Sequence, residues 1–217
     1  MQPISPLRVA LWVALCMAMS FAASARASEL ALTLETPAGK PVANAVVMVH
    51  VQGVQPRGSI RFPWAYVMAQ KDTQFDPFVL IVPVGADVSF PNRDPIRHHV
   101  FSFSPAKPFE LKLYSRDETR VVSFPRAGVV SLGCNIHDNM TAFIRVVDTP
   151  YAVKSNAAGQ AVIRDLPPGA ATVTVWHPFM KLRGGEQSRD VVVPASGALA
   201  LAMVADLRPT PLRRGGY

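Results

Sequence analysis

The chain has 217 residues, 49% of them hydrophobic, and a formal net charge of +7. That length suits one or two modest domains, each able to bury a core. The charge is mild and scattered, apart from the closing Arg208-Pro209-Thr210-Pro211-Leu212-Arg213-Arg214 stretch, which reads as a solvated tail and argues against a nucleic-acid partner.

Residues 1–27 read as an export signal. Arg8 precedes an apolar stretch from Val9 to Ala23, and Ala25-Arg26-Ala27 offers a small-x-small cleavage site before Ser28. The apolar stretch is short for a membrane span, so no span is expected after cleavage. Removal takes Arg8 and Arg26 with it, which leaves about 190 residues and a net charge of +5. It also discards Cys16. Cys134 is then alone, and an exported chain with one cysteine cannot close an internal disulfide.

The rest reads as all-β, since its periodic stretches are short, β-branched and bounded by Pro, Gly or Asn. Residues 28–63 read as an N-terminal β-hairpin and linker, with strands Leu30 to Leu34 and Ala45 to Val51 around the turn Thr36 to Pro41, then a Gly, Pro and Arg-rich loop from Gln52 to Pro63. A hairpin this small must pack on another part of the chain. Residues 64–147 carry eight predicted strands: Tyr66 to Gln70, Val79 to Val82, Asp87 to Pro91, His99 to Phe103, Phe109 to Leu113, Arg120 to Phe124, Val129 to Cys134 and Ala142 to Val147. Such a series suits a β-sandwich or barrel. Residues 148–207 form a smaller all-β unit with strands Gly159 to Ile163, Ala171 to Trp176, Arg189 to Val193 and Leu199 to Ala205, and 208–217 the basic tail. The run Thr36 to Val42 echoes Asn156 to Val162, which we read as shared turn chemistry and not duplication.

The chemistry concentrates in Cys134-Asn135-Ile136-His137-Asp138-Asn139-Met140, which offers a thiolate, an imidazole and a thioether at three-residue steps. A second imidazole can come from His98 or His99. A thiolate with two imidazoles binds both oxidation states of copper, and a weak axial thioether favours the reduced one, so this donor set suits one copper ion that cycles with little ligand movement. Structural zinc usually takes four Cys or His ligands, and only one cysteine remains. His50 and His177 have no second ligand candidate beside them and read as hydrogen-bonded structural histidines. Met48, Met68, Met180 and Met203 are dispersed and read as core filling.

Phe75-Asp76-Pro77, Pro83-Val84-Gly85, Phe90 to Asp94, His98-His99-Val100 and the Cys134 loop together make residues 66–147 resemble the cupredoxins, a Greek-key β-sandwich family of blue-copper proteins such as plastocyanin and amicyanin. The stretches His98 to Lys107 and Gly133 to Asp138 are similar to those of exported cupredoxin-like proteins labelled methylamine utilization proteins, in which a carboxypeptidase-regulatory or transthyretin-like β unit commonly accompanies the copper domain. The resemblance implies a bacterial periplasmic location and the ligand set His98, Cys134, His137 and Met140, with one type 1 copper. It implies a one-electron carrier, not an enzyme, that works between redox partners such as a cytochrome or a dehydrogenase. Typical cupredoxins have Asn after the first histidine, tying the ligand loops together. His99 stands in that place, and His99 and Asn135 are the residues expected to support the ligands or to replace one. Asp138 and Asn139 make the loop polar where typical family members are apolar, so they are candidate partner contacts. The competing reading is a non-redox accessory that binds a partner enzyme or the cell surface, or that delivers copper.

Overall fold

The computed structural model describes residues 28–56 and 58–209. The export signal and the tail from residue 210 onward lie outside the described residues. Among the described residues the strands are β1 (Ser28–Glu35), β2 (Val46–Val51), β3 (Ala69–Lys71), β4 (Gln74–Asp76), β5 (Val79–Pro83), β6 (Ala86–Pro91), β7 (His98–Ser102), β8 (Phe109–Tyr114), β9 (Thr119–Phe124), β10 (Gly128–Cys134), β11 (Thr141–Val147), β12 (Ala152–Lys154), β13 (Gln160–Leu166), β14 (Gly169–Trp176), β15 (Glu186–Val193) and β16 (Ala198–Val204). The only helical piece described is a 3-10 turn at Arg183–Gly185. Among the described residues no helix is long and apolar enough to cross a membrane.

The strands pair into two stacked sandwiches. In one, the sheet β13-β1-β16 faces the sheet β12-β2-β14-β15 across a core that includes Leu30, Leu32, Leu34, Val47, Val49, Ile163, Val173 and Met203. In the other, the sheet β5-β11-β10-β7-β8 faces the pairs β6-β9 and β3-β4 across Met68, Phe75, Val88, Phe90, Val100, Phe124, Leu132 and Ile144. The expected all-β sandwich architecture is the one observed.

Two strands explain how the sandwiches join. The runs Val46-Val47-Met48-Val49 and Val79-Leu80-Ile81-Val82 are buried residue after residue, with none of the alternation of a half-solvated strand. Such runs belong to strands covered on both faces. Val47 and Val49 enter the first core, Leu80 and Val82 the second. Their neighbours Val46, Met48, Val79 and Ile81 meet between the sheets in a third cluster with Val147, Ala152 and Trp176. Phe143 closes this cluster edge-on to Trp176 and to Phe78, at centroid distances of 5.9 and 5.5 Å.

The chain turns back on the end of β1, where Glu35 bridges Pro41 antiparallel, but the two strands expected to form an N-terminal hairpin over residues 28–63 do not pair with each other. β1 and β2 lie in different sheets: β1 runs parallel to β16 and antiparallel to β13, while β2 pairs with β12 and β14. Each half of the segment completes one sheet of the C-terminal sandwich. A tight turn does form at Thr36 to Lys40, where Gly39 N–H donates to Thr36 O. Its echo at Asn156 to Gln160 repeats the bond from Gly159 N–H to Asn156 O, and both glycines are left-handed, at φ 71° and 72°. The strand expected from Tyr66 shortens to β3, with Val67 and Gln70 making single bridges to Ser89 and Asn92. β4 and β12, three residues each, were not expected.

Candidate metal centre

β7 and β10 bring the chemistry together. They are antiparallel neighbours with Cys134 opposite Val100, so the end of β10 meets the start of β7. Side chains alternate along β7: His98 is fully buried, His99 is partly exposed and Val100 is fully buried. β10 and β11 pair as a hairpin up to Gly133 opposite Thr141, and the loop between them is folded back by a bond from Met140 N–H to His137 O of 2.9 Å.

His98 Nδ1 and His137 Nδ1 each lie 3.8 Å from Cys134 Sγ, and the three atoms lie within 4.8 Å of one another. Cys134 and His98 are buried and His137 is half-buried, so the cluster opens to solvent on the His137 side. Among the described residues it is the one group of His, Cys or carboxylate ligands close enough to share an ion. Met140 is buried in the same core as Cys134.

His99 stays outside this cluster. Its Nδ1 accepts a bond from Asn135 Nδ2 at 3.1 Å, which links β7 to the residue after Cys134. Its Nε2 lies 3.0 Å from Glu110 Oε1, out of line for a hydrogen bond. Asp138 and Asn139 are exposed on the loop beyond His137.

The sequence reading missed Asp94. This carboxylate is 4% exposed and accepts from His98 Nε2 at 2.6 Å, from Asp72 N–H at 2.6 Å and from Thr73 N–H at 3.0 Å. Asp72 and Thr73 are the two-residue turn between β3 and β4, both left-handed at φ 53° and 56°. That geometry is that of a type I′ hairpin turn without its usual Asn or Gly. The turn aims two backbone donors at one carboxylate. Asn92, fully buried, fixes the same loop by accepting from Asp94 N–H and donating to Ile96 O and Tyr114 O. Asp94 thus holds the Nε2 side of the His98 ring and leaves Nδ1 facing Cys134.

Electrostatics completes the site. Burial pushes the Cys134 thiol up, but hydrogen bonds from His98, from the His99 and Ile136 backbone and from His137 outweigh it and bring the pKa down to about 6. Burial opposes a charged His98, and the hydrogen bonds and charges of Cys134 and Asp94 prevail, so His98 is raised above the ordinary histidine value. These contacts favour the thiolate form of Cys134.

The other histidines are structural. His50 pairs with Asp148 at 2.9 Å. His177 is held below the ordinary range, at about 4, by burial that a bond to the Ala43 backbone only partly offsets, and its Nδ1 accepts from Phe179 N–H at 3.3 Å. Met48, Met68, Met180 and Met203 are all buried.

No protein-family model and no curated protein matches the chain. Solved structures do. A purple cupredoxin from Nitrosopumilus maritimus aligns over 35% of this chain and 83% of its own at 23% identity and a TM-score of 0.32. A mutant of amicyanin in the Cu(I) state aligns over 46% of this chain and 98% of its own at 17% identity and a TM-score of 0.36. A copper-containing nitrite reductase from Thermus scotoductus aligns at 25% identity and a TM-score of 0.37 over 54% of this chain, which spans only 28% of that enzyme. Similarity at this level leaves function to be argued from the site.

Proposed function

We propose that the protein is an exported, periplasmic carrier of single electrons that holds one type 1 copper ion on His98, Cys134 and His137, with Met140 as a weak fourth ligand. The observation that carries the reading is the 3.8 Å spacing of each imidazole Nδ1 from the thiolate. Two donors bound to one ion at about 2.0–2.1 Å for nitrogen and about 2.3 Å for sulfur, and about 120° apart, lie roughly 3.8 Å from each other. Each sulfur–nitrogen spacing therefore suits a shared ion, and a His2Cys donor set with a weak axial Met is the one that holds copper in blue-copper sites.

Bound copper would supply a one-electron couple. The chain's own residues do the rest. Asp94 and the turn Asp72-Thr73 orient His98, the Asn135 to His99 bond holds the two ligand segments against each other, and the surrounding sandwich excludes water from Cys134. His137, half-buried at the loop tip, offers an edge to a redox partner such as a cytochrome or a dehydrogenase, with Asp138 and Asn139 beside it. No bond of a substrate is made or broken in this role.

The test is direct. Mature protein made in copper-replete medium is expected to carry one copper per chain and an intense visible band from thiolate-to-copper charge transfer, and Cys134→Ala is expected to lose it. Colourless, copper-free protein overturns the reading. Copper that passes readily to a competing chelator, with a poorly reversible couple, supports delivery in its place.

A further inference from the structure

We infer that the outer face of β7, centred on Phe101 and Phe103, is a docking surface for an acidic protein that exchanges electrons with the metal site. The inference rests on the reading of that site as an electron carrier. Phe103 is 85% exposed, an unusual position for a phenylalanine beside a sheet. Its ring lies 5.1 Å from that of Phe101, which in turn meets His99 edge-on at 6.2 Å. Across the sheet Phe101 faces Gly133. A Cβ at Gly133 would come within 2.7 Å of the Phe101 ring, so the ring rests on the backbone of the residue just before Cys134. An aromatic surface thus runs from solvent to the chain segment that holds the ligand sulfur.

The surface is rigid before any partner arrives. Ser104 N–H donates to Ser102 Oγ at 3.1 Å, Ser131 N–H to Ser104 Oγ at 2.9 Å and Arg126 Nη2 to Pro105 O at 2.8 Å. These bonds tie the turn that presents Phe103 to β7, to β10 and to the segment before β10. A preorganised aromatic anchor is the usual energetic centre of a protein interface. Its rim here is cationic. Lys107 follows in the same turn, Arg126 reaches over it, and neither lies within ion-pair distance of a carboxylate among the described residues. Glu110, opposite Phe101, turns towards His99. An apolar centre with a cationic rim selects a partner whose own rim is acidic. The face is also continuous with one already used, because Phe143, on β11 next to β10, is covered by Trp176 of the other sandwich. The step needs no further reagent: one electron leaves the reduced site and the oxidised partner gains it.

The probe is an acidic c-type cytochrome in its oxidised form, mixed in stopped flow with the copper-loaded, reduced protein. Expected is a rate that falls as salt rises and drops several-fold in Phe103→Ser, Lys107→Glu and Arg126→Glu, with the visible spectrum of each variant unchanged. Because Phe103 is exposed, its replacement leaves folding intact, and the spectrum verifies this. Rates like those of the wild type in all three, with a change in Asp138→Lys alone, place docking at the His137 edge and overturn the inference. Oxidation of the same samples by ferricyanide separates the two failures. Protein that cycles with ferricyanide but ignores the three substitutions refutes only the docking surface, whereas protein that takes no copper and does not cycle removes the electron-carrier reading and this inference together.

Discussion

At the scale of single residues the site is a chain of dependence that starts outside the proposed ligands. Asp94 spends its two oxygens on three donors, and one of them orients the His98 ring. Asp94→Asn keeps the shape but removes the charge and replaces one acceptor with a donor that faces N–H groups. The expected loss is about 10–100-fold in metal affinity, the range for removing the partner of a ligating histidine, measured by chelator competition. An unchanged affinity would show that packing alone orients the ring. The thiolate gives a second measurement. Cys134 is held down at about 6, so its contribution to stability is fully present above its unfolded value and is lost as pH falls through about 6. His98 is raised, so its contribution is present below its unfolded value and is lost as pH rises through the raised one. The two oppose each other near neutrality, which makes thermal melting a poor reporter. The ultraviolet absorbance of the thiolate in the metal-free protein reports Cys134 alone, with an expected midpoint of about 6. A midpoint near the ordinary value of about 8.5 would contradict the hydrogen-bond network. The proposed ligands stand out in the sequence because three of them, Cys134, His137 and Met140, share one short loop. Asp94 does not, because its role depends on a turn 21 and 22 residues away whose position only the fold defines.

Individual elements show what periodicity captures and what it omits. Short β-branched runs located most of the strands, since strand formation is largely local. Pairing is not local. The turn at Thr36 to Lys40 was legible, yet the chain leaves it to enter another sheet, because β1 finds its partners in β13 and β16 more than a hundred residues later. β4 and β12 have three residues each, too few to show a period. The two echoing turns separate local chemistry from environment. Gly39 and Gly159 have nearly the same φ, but a Cβ on Gly39 meets nothing within 4 Å, whereas one on Gly159 would lie 2.3 Å from Leu34 O. Gly39→Ala is therefore expected to cost only the left-handed penalty of about 1–2 kcal/mol. Gly159→Ala must also displace the backbone where Leu34 N–H donates to Gly159 O at 2.8 Å, so its cost should exceed about 3 kcal/mol. Urea titration of the two variants tests the contrast, and equal losses would refute it.

In the whole molecule, each sandwich has its own core and a third cluster joins them, so cooperativity rests on that third cluster. Trp176 is its largest member, 1% exposed, edge-on to Phe143 and with the Arg145 guanidinium 5.9 Å from its ring. Arg145 in turn reaches Glu186 of β15 at 3.0 Å, the one ion pair among the described residues that spans the two sandwiches through β11. Burial pulls the Arg145 pKa down against the pull of Glu186, so this pair stabilises little by itself and depends on the apolar contact around it. Trp176→Ala removes most of that contact. The expected loss is about 3–5 kcal/mol, as for other buried tryptophans, and it falls on the junction instead of on either core. Wild-type protein should then unfold in urea as one transition, with far-ultraviolet dichroism and the reactivity of the Cys134 thiol changing together. In Trp176→Ala the two signals should part, because each sandwich can open without the other. Coincident transitions in the variant, shifted by less than about 1 kcal/mol, would mean that the doubly covered strands β2 and β5 hold the stack together without Trp176.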